Sequence, residues 1–296
     1  MATGLQTRKD LLANGFTDSQ IRWAVRTGGL IRVTRGVYGR VRSPAPAGVD
    51  QRAHEYCQLI KSSALCGDDP LISHASAAAL HQLPLVEIDR HIVHVTQRTR
   101  SGGQRRGRVF RHLGTAAIVE TRIDGIRVTS VPRTLVDMAR TNSFRSAVAA
   151  SDAALHGGSV SKEQLADELR SAAGRSGAAA ARRAIEFAEG LSESPGESLT
   201  RAALGELGFP PMHLQMRVLD RHGVFLRRVD LACLELGLPI EFDGLVEYGG
   251  LVDGPDARTA LIREKCRQDG LRAAGFIVLR LTWSDLNRPE HLHRMV

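Results

Sequence analysis

Residues 213–243 alternate apolar and polar side chains through three segments, His213–Leu219, Val224–Leu234 and Ile240–Asp243, separated by the turns Asp220–Gly223 and Glu235–Pro239. A period of two broken by short turns specifies an antiparallel meander, because a helix would scatter those apolar residues around its circumference. Upstream, Ser194-Pro195-Gly196-Glu197 opens a helix that runs to about Leu207, with proline in the first turn. Downstream, Ala257–Ala274 reads as a helix and Phe276–Leu281 as a strand. Helix, three-strand meander, helix and strand is an α/β order.

Alternation then places the acids. In RRVDLACLEL, Val229, Leu231 and Cys233 share one face, and Arg228, Asp230 and Ala232 the other. In PIEFDG, Glu241 and Asp243 share a face opposite Ile240 and Phe242. Antiparallel pairing across the short turn brings Asp230 close to Glu241. Carboxylates so gathered repel one another unless a cation or proton intervenes. Mg²⁺ (or Mn²⁺), bound through oxygen, is the natural occupant. A metal held this way can polarise a phosphodiester and activate water. The competing explanation for Asp230 is a surface ion pair with Arg227 or Arg228.

The other end of the chain is basic. The 40 Lys and Arg exceed the 32 acids, giving a net charge of +8, and all but four of the bases are arginine. Residues 1–42 hold eight bases and two acids, whereas residues 191–296 hold 13 and 15. Such asymmetry points to one part that grips polyanion and another with different chemistry. Lys9–Ala13 reads as a short helix that ends at Asn14-Gly15. Thr17-x-x-Gln20 has capping-box spacing and opens a second helix, which Gly28-Gly29 stops. Leu30–Val33 and Val37–Val41 form a hairpin around Thr34-Arg35-Gly36.

Two resemblances follow from these strings. GFTDSQIRWAVRTGGLIRVTRGVYGRV resembles the N-terminal winged helix-turn-helix of AbiEi-type antitoxin proteins. The resemblance implies that Arg22 and Arg26 face the major groove of DNA, that Arg32 and Arg35 serve the wing, and that a cognate toxin is a partner. ESPGESLTRAAL, RRVDLA, PIEFDG, IREKCRQDGLRAAGF and VLRLTWSDL together resemble the PD-(D/E)XK nuclease core of the very-short-patch-repair branch. This second resemblance implies that Asp230 and Glu241 bind metal and that Glu197 assists from the first helix. Asp243 stands where the general motif has lysine, and Lys265 on the following helix is the candidate charge stabiliser. Glu247 replaces a base that related sequences carry beside the site. Glu197, three residues after Ser194, also satisfies a capping box with no catalysis.

SPAPAGV at 43–49 reads as a linker, and residues 51–190 as a mixed middle region. That region has helices at His54–Leu65, from Ser73 as N-cap, from Ser130-Val-Pro, and at Ser143–Leu155 and Lys162–Ala173. Its strands are His91–Thr96, Val109–His112 and Gly125–Thr129. SHASAAALH, VHVT and VTSVPRTLVDMAR resemble the region that accompanies this winged helix in actinobacterial proteins. Between two strands, Arg98–Arg111 carries six arginines and no acid, including Arg105 and Arg106. Such a run is either a solvated loop or a grip on a nucleic-acid backbone.

Four cysteines without CxxC spacing read as packed thiols in a reducing compartment. The close pairs His91/His94 and His291/His293 read as ordinary surface or strand histidines. No run approaches the roughly 20 apolar residues of a membrane helix, and the N-terminus lacks a signal-peptide core. The expectation is a cytoplasmic α/β (α+β) multidomain protein: a winged helix-turn-helix at 1–42, a mixed region at 51–190 and a nuclease-like domain at 192–296. Its expected role is Mg²⁺-dependent hydrolysis of DNA. The alternative is a non-catalytic antitoxin-type repressor whose degenerate nuclease fold binds a partner.

Overall fold

The computed structural model describes residues 5–40, 45, 50–65, 69–97, 103–114, 118–220, 222–244 and 276–295. These fall into two compact units. One comprises the residues up to Asn142 together with Lys162–Ala181, and the other Ser143–Ser161 together with the residues from Arg182 onward. Residues 143–161 and 182–190, expected with the middle region, therefore group with the C-terminal segment.

The first unit opens with β1 (Leu5–Thr7), α1 (Arg8–Ala13), α2 (Asp18–Arg26), β2 (Leu30–Thr34) and β3 (Val37–Arg40). The strands form an antiparallel sheet in the order β1-β3-β2. Thr17 and Gln20 make the expected capping box, and Thr7 with Asp10 makes a second at α1. Leu11, Ile21 and Leu30 form a small core with Ala24, Val25 and Tyr38 packed against it. The three-residue β1 escaped the sequence reading because LQT is too short to show a period.

Next come α3 (Gln51–Leu65), β4 (Leu71–Ile72), α4 (His74–Leu80), β5 (Val93–Gln97), β6 (Gln104–Arg106), β7 (Val109–Leu113), β8 (Glu120–Ile123), β9 (Ile126–Thr129) and α5 (Val131–Thr141). The strands make a six-stranded mixed sheet, β6-β7-β5-β4-β9-β8. Val93, Val95 and Val128 pack with Tyr56, Leu59 and Ile60 in its core. Parallel pairing sets His94 beside Phe110 and Thr96 beside His112, so these four side chains share one sheet face. The arginine run is not a loop throughout. Arg105 and Arg106 lie on β6, which pairs antiparallel with β7 across a turn where Gly107 takes φ +61°.

In chain order there follow α6 (Phe144–His156), α7 (Lys162–Ser171), α8 (Ala178–Phe187), α9 (Pro195–Glu206), β10 (Met212–Leu219), β11 (Phe225–Cys233), β12 (Leu238–Phe242), β13 (Leu279–Leu281), α10 (Trp283–Leu286) and α11 (Pro289–Met295). In the second unit, α6 packs on α9. The buried Asp152 carboxylate accepts from Arg201 at 2.9 and 3.1 Å and from the Glu189 N–H at 2.6 Å. That ion pair lies within the packing of α6 on α9 that joins residues 143–161 to the C-terminal segment. The sheet order is β10-β11-β12-β13, antiparallel in the first two pairings and parallel in the last. The three meander strands match the alternation in the sequence, while the helix expected at 257–274 lies outside the described residues. Among the described residues no helix is long and apolar enough to cross a membrane.

Candidate nucleic-acid interface and the C-terminal carboxylates

On α2, Ile21 is buried and Ala24 and Val25 are half-buried against the core, so helical periodicity turns Arg22, Trp23 and Arg26 outward. All three are exposed, Trp23 by 59%. Arg8 grips both carboxylate oxygens of Asp18, at 2.8 and 2.5 Å, and ties α1 to the start of α2. This contact holds the Asp18 carboxyl below its usual range. Arg32 on β2 is exposed, and Arg35 sits at the hairpin tip next to Gly36 at φ +83°. The helix and hairpin thus both present guanidinium groups. Arg105 and Arg106 are exposed on β6, and Arg105 Nε donates to the Gly107 carbonyl at 3.2 Å.

The C-terminal carboxylates have their own partners. Register pairs Leu231 with Ile240, which continues to Asp230 beside Glu241 as the alternation implied. Yet Asp230 Oδ2 accepts the Phe242 backbone N–H at 2.9 Å. Buried Glu241 faces guanidinium on both oxygens, with Arg227 Nη2 at 2.7 Å and Arg280 Nη2 at 3.3 Å. Glu197 serves the start of α9, where Ser194 Oγ donates to Oε1 at 2.8 Å, and the Glu193 N–H and Gln215 Nε2 donate to Oε2 at 3.0 and 2.8 Å. Burial, joined by the nearby Asp230 charge, raises the Glu197 carboxyl above its ordinary range. The Asp243 N–H donates to the Leu281 carbonyl at 2.8 Å. Lys265 lies outside the described residues.

Among the described residues, no three of His, Cys, Asp and Glu gather as a metal site. Asp230 lies near Glu197 and next along the register from the Leu231–Ile240 pair, and each of the carboxylates of Asp230, Glu241 and Glu197 already has a protein partner. The donor set does not suit a hard divalent cation, because two guanidiniums already neutralise Glu241 and would repel a metal there. No hydrolytic step follows from this arrangement.

The sequence reading missed a second polar cluster, in the first unit. His74 and His112 stack with ring centroids 3.5 Å apart, and His94 Nδ1 lies 2.8 Å from His112 Nε2. His74 begins α4 at φ +53°, a strained conformation for a residue with a Cβ. Ser73 does not cap α4 with its side chain; its hydroxyl lies 2.9 Å from His74 Nδ1. Burial lowers the pKa of all three histidines, that of His112 to about 3, so the stack is neutral at pH 7. On α5, fully buried Asp137 accepts from Arg133 Nε at 2.6 Å and Arg140 Nη1 at 3.0 Å. The one available signal was the spacing of Arg133, Asp137 and Arg140 on a single helix face.

Comparison with known proteins bears on parts of both units. Residues 70–187 match the family model of the AbiEi antitoxin C-terminal domain. The match includes the histidine stack and the Asp137 cluster. Two relatives, from strains CDC 1551 and H37Rv of Mycobacterium tuberculosis, are each named as an uncharacterized protein. Both are 27% identical to this chain over 281 residues, covering 92% of this chain and 93% of theirs. Among solved structures, the RV2827C protein from Mycobacterium tuberculosis is similar at a TM-score of 0.40 and 19% identity, covering 66% of this chain and 74% of that one.

Proposed function

We propose that this chain is an antitoxin-type regulator that binds DNA through its N-terminal helices and hairpin and pairs with a cognate toxin. The observation that carries the reading is the match of residues 70–187 to an AbiEi antitoxin domain, in a chain whose N-terminal segment turns arginines outward on helix and hairpin. The element order β1-α1-α2-β2-β3 and the sheet order β1-β3-β2 suit a winged helix-turn-helix in which α2 enters the major groove. In that docking Arg22 and Arg26 meet the groove and its phosphates, and Arg32 and Arg35 meet the flanking backbone. Arg105 and Arg106, on the edge strand β6, supply a further basic strip.

The C-terminal unit is read as a nuclease-like fold in a partner-binding role. Its antiparallel meander followed by a parallel strand favours that ancestry. Arg227 and Arg280 on Glu241 argue against turnover. The test is a reporter driven by the DNA upstream of this chain's own reading frame. Repression by the chain, abolished in the Arg22→Ala/Arg26→Ala double variant, is the expected result. No repression, or repression that survives the double variant, contradicts the reading.

A further inference from the structure

Asp137 is the hub of an unbalanced charge cluster in the first unit. Besides Arg133 and Arg140 it faces Arg175, whose Nη1 lies 4.0 Å away, and Glu168 Oε1 lies 3.7 Å from Arg133 Nη1. Three guanidiniums thus meet two carboxylates, which leaves one positive charge in excess among these residues. The neighbouring histidines do not change this balance: they are neutral at pH 7, and protonating them would only add positive charge. Buried charge without an opposite partner is costly, so the cluster is poised to take an anion.

The excess is localised at Arg175. Its side chain is 18% exposed, and its ion pair with Asp137 spans 4.0 Å, much longer than those of Arg133 and Arg140. Burial, together with Arg133 and Arg140, pushes its pKa below the usual arginine range. The adjoining cation that also retains some exposure is Arg140, at 10%, whereas Arg133 is at 4% and Asp137 at 0%. Glu168, at 15%, is the carboxylate of the cluster that also reaches solvent, so access is from the side of Arg140, Glu168 and Arg175.

One loop ties Arg140 to the segment that carries Arg175. Gly174 and Gly177 take φ +75° and +79°, turning the Arg175-Ser176 segment onto α5. Arg140 Nε donates to the Ser176 carbonyl at 3.0 Å, and a Cβ on Gly177 would lie 2.2 Å from the Arg140 carbonyl oxygen. Arg140 gives Nε to the Ser176 carbonyl and Nη1 to Asp137, so it offers its Nη2 edge, while the planar fork of Arg175 can reach two oxygens; such a set suits a tetrahedral oxyanion better than a halide. Preorganised donors also give up little freedom on binding.

We propose that Arg140 and Arg175 form a binding site for a phosphate group, positioned by Asp137 and Arg133. The group is either free inorganic phosphate or the phosphate of a nucleotide, and both present the same oxygens to the two guanidiniums. Isothermal titration calorimetry of the full chain, with inorganic phosphate and with ATP at constant chloride, tests the proposal without DNA. A failure of the DNA-binding reading therefore leaves this test standing, and the reverse also holds.

The expected result is saturable one-to-one binding, weakened at least tenfold by Arg175→Gln. Arg175→Lys keeps the charge and removes the fork, so it binds between wild type and Arg175→Gln. If Arg175→Gln does not fold, the weakening is read from Arg175→Lys alone. Tighter binding of ATP than of phosphate assigns the site to a nucleotide, and equal binding to the free phosphate group. Absence of saturable heat with both probes, or affinity unchanged by the variants, overturns the proposal.

Discussion

Arg227 Nη2 lies 2.7 Å from Glu241 Oε1 inside the C-terminal sheet, and the other oxygen of that carboxylate faces Arg280. The pair converts an acid that alternation marks as a metal ligand into the anionic centre of a protein ion cluster. Removing one side of a buried pair leaves the other charge uncompensated. Glu241→Ala is expected to cost about 3 kcal/mol, the low end for such losses because Arg280 retains solvent contact. Urea unfolding measures this, and saturating Mg²⁺ is expected to leave the wild-type midpoint unchanged. A variant of wild-type stability, or a midpoint raised by Mg²⁺, would contradict the pairing as described.

The first turn of α9 meets β12 through a glycine. A Cβ at Gly196 would lie 1.9 Å from the Phe242 ring, which also packs edge-on against Trp283 at a centroid distance of 5.0 Å. Gly196→Ala is expected to destabilise the chain by roughly 2 kcal/mol through overpacking. Adding Phe242→Leu to Gly196→Ala should return part of that loss, as for residues that touch directly. A double variant whose two losses simply add would show that the two residues are uncoupled.

The histidine stack sets a pH dependence whose sign is fixed. The pKa of each of His74, His94 and His112 is lowered in the folded state, so the unfolded chain binds more protons below the ordinary histidine pKa. Stability is then full above about pH 6.5. It falls as pH drops from there toward about 3, the folded value for His112. The slope is up to about 1.4 kcal/mol per pH unit for each histidine that titrates only when unfolded. Denaturant midpoints measured down this range test it. His112→Phe, which keeps a ring against His74, is expected to flatten the curve; an unchanged curve would place the pH dependence elsewhere.

Local signals in the sequence were legible where one side chain decides them. Thr17 and Gln20 announced the start of α2, and alternation in RRVDLAC and PIEF marked two strands that pair antiparallel with Leu231 opposite Ile240. What the sequence did not carry was the identity of each partner. Arg280 reaches Glu241 only because β13 pairs in parallel with β12, from 39 residues away. His94 and His112 are 18 residues apart and meet through the parallel pairing of β5 and β7, so close spacing paired His94 with His91 and gave no sign of His112. The exposed β6 carries Gln-Arg-Arg, with no apolar residue to betray a strand.

DNA binding by the outward-facing arginines of α2 and its hairpin is the centre of the proposed function. Fluorescence anisotropy of a labelled duplex from upstream of the reading frame, titrated with the chain at several salt concentrations, tests it most directly. Affinity is expected to fall steeply as salt rises. In the Arg22→Ala/Arg26→Ala double variant, affinity should be lower and the log–log salt slope smaller by about one for each phosphate that is no longer neutralised. Binding of equal strength and equal salt slope in wild type and double variant would contradict the proposal.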